Sequence, residues 1–254
     1  MNVPISYRGV WQRTLLETGE CQDVRSRVYW LQTGLWHADI RIPADRPDFT
    51  GVMSHADCSA EQLSWLAGQQ GFVGITVVQD NQCEWQRAID FQPPLGNRDI
   101  GRMHFAHPDK LLEYGIEDTY SEIWERITGG GNKRCYALQL LDHGELAEPV
   151  IFLIVYGNHF IYSRNRPAGL QQPFSSSGQL QQYPYDVLVR ALDFEISFGQ
   201  IQAESGSGQI MLSTLPWREG QTAFDRDPML AAFEGGICPG PGPGKTWRVL
   251  SDNQ

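Results

Sequence analysis

Three groups of residues have types and spacings that could do chemistry. His37, Asp39 and Arg41 alternate along one run, so a strand would turn them to one face and Trp36, Ala38, Ile40 and Ile42 to the other. Such a face offers an imidazole, a carboxylate and a guanidinium for an anionic or carbonyl ligand. Arg102 and His104 share a second strand face, and Glu122 shares a third with Trp124 and Arg126. An arginine to anchor an anion and a His or Glu to move a proton are enough for acid–base work on a small carbonyl or phenolic compound. Arg102, His104 and Glu122 are therefore the candidate catalytic set, weighed against ordinary ion pairing. His104, His107 and Asp109 carry metal-ligand chemistry, but strand residues three apart face opposite ways, so the histidines converge only if the chain bends at Ala106. The expectation is one inward and one loop histidine, with no metal.

Several familiar sites are missing. Gly240-Pro241-Gly242-Pro243-Gly244-Lys245-Thr246 ends like a phosphate-binding loop, but its prolines remove backbone donors and a short strand-like tail follows where a helix is needed. It reads as a stiff linker. There is no G-x-S-x-G elbow, no H-E-x-x-H and no dinucleotide fingerprint. Cys21, Cys58, Cys83, Cys135 and Cys238 are odd in number and scattered, which suits packed free thiols better than zinc or redox work. No cofactor is expected.

The elements that must position these groups are strands. Tyr7–Thr18, Arg27–Thr33, Leu35–Pro43, Phe72–Val78, Cys83–Phe91 and Ile100–Phe105 read as strands, with hairpins at Gly34 and at Asp80-Asn81. Ser59-Ala60-Glu61-Gln62 has the spacing of a capping box, and Leu63, Leu66 and Ala67 share one face of the short helix that follows. Pro108–Gly115 reads as a loop or helical turn. The second half repeats the pattern: strands over Arg134–Leu141, Val150–Tyr156 and Asn158–Arg164, a Gln/Ser-rich loop over Gln171–Gln182, a helix over Tyr185–Leu192, then strands over Phe194–Gln202, Gln209–Leu215 and Thr246–Leu250.

Val10-Trp11-Gln12-Arg13 returns as Ile123-Trp124-Glu125-Arg126, and Gly34 and Arg41 match Gly157 and Arg164 at one offset. A repeat of half the chain implies two similar units, 1–117 and 118–254, the second with a Pro/Gly-rich tail. Tight turns and up-and-down strands favour small closed antiparallel barrels with short flanking helices, an all-β class. The repeated Trp-x-Arg reads as architecture, an aromatic at the barrel base with an arginine stacked on it or paired nearby. Two packings remain open for His37, Asp39 and Arg41. If the apolar set fills the barrel they are solvated; if the barrel packs its outside on its twin they line the interior. Trp30 and Trp85 are the aromatic candidates for a ligand cavity.

Tyr7-Arg8-Gly9-Val10-Trp11-Gln12-Arg13-Thr14, Tyr29-Trp30-Leu31-Gln32-Thr33, Asp39-Ile40-Arg41-Ile42-Pro43, Ile100-Gly101-Arg102-Met103, Glu122-Ile123-Trp124-Glu125-Arg126 and Ser213-Thr214-Leu215-Pro216-Trp217-Arg218-Glu219 resemble the fungal Hri protein family and its bacterial relatives. The resemblance covers most of the chain. It implies two lipocalin-like (calycin) halves and no settled biochemical activity, so no catalytic residues follow from it.

The 254 residues, 41% hydrophobic and 20% charged, suit a globular chain, and the formal charge of −10 argues against nucleic-acid partners. No apolar stretch approaches a membrane span, and the expectation is a cytoplasmic protein. Three functions stay in play: binding of a small, partly apolar or aromatic ligand in a barrel, cofactor-independent acid–base catalysis, and a protein-interaction scaffold whose Cys238–Gly244 tail is a tether, with a protein partner or a homodimer.

Overall fold

The computed structural model describes residues 2–92, 96–129, 133–167, 184–229 and 238–253. The first sheet comprises β1 (Gly9–Thr18), β2 (Cys21–Asp23), β3 (Arg27–Gln32), β4 (Trp36–Ile42), β5 (Gln70–Gln79), β6 (Gln82–Asp90), β7 (Ile100–His107), β8 (Lys110–Gly115) and β9 (Ser121–Gly129). Its order is β2-β1-β3-β4-β5-β6-β7-β8-β9, and β9 returns to pair with β1, so eight strands close a barrel. The second comprises β10 (Cys135–Asp142), β11 (Glu145–Leu146), β12 (Ile151–Tyr156), β13 (His159–Arg164), β14 (Glu195–Ile201), β15 (Gly208–Ser213), β16 (Thr222–Phe224) and β17 (Lys245–Asn253). It runs β16-β15-β14-β13-β12-β10 with β17 on the far side of β10, and among the described residues its edges do not meet. All pairings are antiparallel, so the chain is all-β with two barrel units, one closed and one curled.

Two short helices flank the sheets. α1 (Ala60–Ala67) starts at the expected capping box: Ser59 accepts from the Gln62 amide at 3.2 Å, and Gln62 Oε1 accepts from the Ser59 amide at 2.7 Å. α2 (Tyr185–Leu192) sits at the corresponding place in the second unit. Asp80 and Asn81 both take positive φ, at 49° and 61°, as the hairpin turn between β5 and β6 requires. No helix among the described residues is long and apolar enough to cross a membrane.

Four expectations change. Lys110–Gly115, read as loop, is strand β8, because the turn at Pro108-Asp109 reverses the chain within two residues. The division between sheets falls after Gly129, beyond the 117/118 division that the repeat suggested. The repeated Trp-x-Arg segments are antiparallel neighbours in one barrel, with Trp11 opposite Arg126 and Arg13 opposite Trp124. The linker reading of Gly240–Thr246 gives way to a turn: the Gly240 amide donates to the Lys245 carbonyl at 2.9 Å, and Lys245 opens β17 with no helix behind it.

The two units nonetheless match at the level of pairing. Trp30 faces Asp39 across β3–β4 as Leu153 faces Tyr162 across β12–β13, and Arg41 faces Gln70 as Arg164 faces Glu195. The same register makes Trp247, opposite Leu140, the counterpart of Trp124 opposite Arg13. Gly74 and Gly199 coincide as well. Each sits at a register shift where a Cβ would meet the neighbouring strand's carbonyl, 1.9 Å from Gln86 O and 2.1 Å from Gln209 O.

The units share one apolar core. Leu31, Ala38, Ile40 and Val73 on the outside of the first barrel meet Phe152, Ile154, Ile196 and Phe198 of the second sheet, with both helices contributing leucines. Tyr29 stacks on Phe198 with ring centres 4.4 Å apart. Packing its outer apolar face on its neighbour turns the first barrel's other face, with His37, Asp39 and Arg41, to the interior.

Candidate functional site

The first barrel is filled. Trp11, Trp85 and Trp124 surround Trp30 with ring centres 6.1, 5.7 and 5.8 Å away. Trp30 and Trp85, proposed from sequence as cavity lining, pack on each other. Beside the indoles lies a buried polar network. Asp39 accepts from Arg41 Nε at 2.8 Å, Arg13 Nη1 donates to Glu122 Oε1 at 2.7 Å, and Arg41 Nη1 lies 3.7 Å from the same oxygen. Glu113 faces Glu122 directly across β8–β9 and accepts from the Tyr120 hydroxyl at 2.7 Å and from Trp124 Nε1 at 3.0 Å.

Burial governs the electrostatics here. It raises the Glu113 carboxyl well above the usual carboxylate range, and the Glu122 charge adds to the effect. It raises Asp39 as well, against the opposing pull of Arg41. His37 is pushed down to about 3 by burial, with Arg87 adding to it, so its ring is neutral at physiological pH. Its Nδ1 lies 3.0 Å from Thr76 Oγ1, whose proton goes to Gln32. Nearly every charge in this network meets an internal partner; His37 Nε2 and Glu122 Oε2 are buried without one. Among the described residues no group of three His, Cys, Asp or Glu is placed to hold a metal.

The proposed catalytic set does not assemble. Gly101 and Met103 are the inward residues of β7, which leaves Arg102 and His104 exposed on the outer face, while Glu122 is buried within the barrel. His107 is exposed too, so neither histidine of the pair faces inward.

A more open arrangement lies at the mouth of the second unit, where a cleft of about 360 Å3 forms against the 3-10 turn His55–Asp57 of the first unit. β13 supplies Arg164, α2 supplies Arg190, and the residues that follow supply Asp193 and Glu195. The turn Pro216–Arg218, opened by proline at its first position, supplies Trp217 and Arg218. Arg164 Nη2 donates to Asp193 Oδ1 at 2.6 Å, and Arg218 Nε to Glu195 Oε1 at 3.0 Å. His55 stands edge-on to Trp217 with ring centres 4.8 Å apart. Its Nε2 is buried and lacks a hydrogen-bond partner. Burial depresses the ring's proton affinity, with Asp193 and the Leu192 carbonyl pulling the other way. Chemically the cleft can bind: it has cationic walls and an aromatic surface. A smaller concavity of about 250 Å3 between Glu84 and Arg98 is open and polar.

The cleft residues come from four separated stretches, so no local motif announced them. One signal was present, since Arg164 repeats Arg41 at the offset that aligns Gly157 with Gly34.

No known family profile and no curated protein matches the sequence. The fold is similar to the crystal structure of an uncharacterized protein, YLR301w, from Saccharomyces cerevisiae, with a TM-score of 0.53 and 12% identity over 96% of this chain and 98% of that one.

Proposed function

We propose that the protein binds a small, partly aromatic ligand, as a two-unit calycin-type relative of the Hri-like proteins its sequence resembles, and that the ligand sits at the mouth of the second unit. The observation that carries this reading is the cleft itself, where Trp217, the His55 ring and arginines from three elements line one open space. The first barrel's interior argues for a structural part, because indoles and ion pairs occupy it. The outward placement of Arg102 and His104 removes support from acid–base catalysis by that set. Five cysteines without a disulfide favour a reducing compartment such as the cytoplasm.

The test is a titration of the purified protein with a panel of small aromatic compounds, followed by tryptophan emission. A saturable response that weakens about tenfold or more in Trp217→Ala is expected. A panel that gives no saturable response, or one that Trp217→Ala leaves unchanged, overturns the assignment.

A further inference from the structure

Resting on that reading, we infer that the ligand is an organic anion, an aryl carboxylate whose acid group is held by Arg164 and Arg190. One arginine position is common to the two units and its partners differ between them. Arg41 and Arg164 make the last pairing of the fourth strand with the fifth in their units. In the first unit the barrel wall supplies the counter-charges: Asp39, two residues earlier on the same face, and Glu122 on the closing strand. In the second unit the register puts Tyr162 where Asp39 stands, and Lys245, two residues before the closing-strand Trp247, where Glu122 stands two before Trp124. The arginine is kept while both wall acids are replaced, one by a phenol and one by a base.

What Arg164 has instead comes from beyond the wall. Asp193, after α2, takes one of its nitrogens, and Glu195 is engaged by Arg218. Arg190 is exposed and forms no ion pair among the described residues. The cleft thus sets three guanidinium groups against two carboxylates, a positive balance in a chain of net charge −10. A carboxylate accepts hydrogen bonds from two guanidinium groups at once, and Trp217 offers a flat ring for the body of the molecule. The volume of about 360 Å3 accommodates one or two fused rings.

Isothermal titration calorimetry with 2-naphthoate and its neutral isostere 2-naphthamide separates the inference from the reading beneath it. Naphthoate is expected to bind at least tenfold more tightly than the amide. Arg164→Gln should weaken naphthoate at least tenfold and so remove that preference. Arg190→Gln, on an exposed helix face, should cut naphthoate affinity about threefold with an unchanged melting temperature, which covers the case in which Arg164→Gln unfolds. Equal binding of the two compounds overturns the anion inference and leaves the ligand site standing. Binding of neither overturns both. A naphthoate preference indifferent to both substitutions places the anion elsewhere and overturns the inference as well.

Discussion

Arg126 lies over Trp11 with its guanidinium carbon 4.1 Å from the ring centre, and its nitrogens donate to the carbonyls of Ser6, Arg8 and Pro108. Trp11 is on β1 and Arg126 on β9, directly opposite each other, so the stack bolts the seam at which the barrel closes. Arg126→Ala should lower unfolding free energy by about 2 kcal/mol, because it removes a cation–π contact, the ion pair with Asp109 at 3.0 Å and the hydrogen bonds to the three carbonyls. Arg126→Lys should recover less than half of that, since an ammonium cannot stack flat and reach three carbonyls. Urea unfolding of the two variants measures it.

Glu113 carries a pH prediction. Its affinity for protons is higher folded than unfolded, so from about pH 4.5 upward the native state holds more protons and stability falls as pH rises through this range. Glu113→Gln keeps one acceptor oxygen for Trp124 Nε1 and puts an amide N–H opposite the Tyr120 oxygen once that hydroxyl turns, and should flatten that decline at a cost of about 1 kcal/mol. Glu113→Ala should cost about 2–3 kcal/mol by leaving the indole N–H and the phenol unpaired. Chemical denaturation between pH 5 and 9 distinguishes the three proteins.

His37 acts in the opposite sense. Its folded value of about 3 lies below the unfolded value near 6.5, so acidification favours the unfolded chain once pH drops below about 6.5. Between pH 7 and 5 this contributes a loss of up to about 2 kcal/mol. His37→Gln should shrink the stability difference between those two pH values; an unchanged difference would mean the imidazole is not buried as described.

Gly74 and Gly199 should be equally intolerant. A methyl group at either would collide with the backbone of the paired strand, which no side-chain rotation relieves. Gly74→Ala and Gly199→Ala should each cost about 2–3 kcal/mol, and thermal melts should show similar losses for the two units. Gly19→Ala serves as a contrast, because nothing lies near its Cβ and only its φ of 59° opposes the change.

Local chemistry was the most legible layer of the sequence. The capping box at Ser59 and Gln62 and the Asp80-Asn81 turn are set by interactions within a few residues, and both stand where the sequence placed them. β8 was hidden because Pro108 looks like a terminator, whereas here it only turns the chain. The Trp-x-Arg repeat misled the domain division for a physical reason: the opening and closing strands of one barrel face the same base, so both carry the aromatic and the cation that seal it. The true counterpart of Trp124 is Trp247, which pairing identifies and sequence similarity does not. Which face of β4 turns inward depended on whether the barrel's outside meets solvent or the other unit, a tertiary fact that alternation alone leaves open. The cleft around Arg164 drew on residues from both units, and only the fold brings those together.

The seam between β1 and β9 also orders events during synthesis. The first barrel has no closed form until residue 129 has cleared the ribosome, and until then the ten-residue strand Gly9–Thr18 keeps one row of amides and carbonyls unclaimed. A nascent chain halted before Ser121 is therefore a template for strand addition by neighbouring chains, and ribosome-bound chaperones are needed most in that interval.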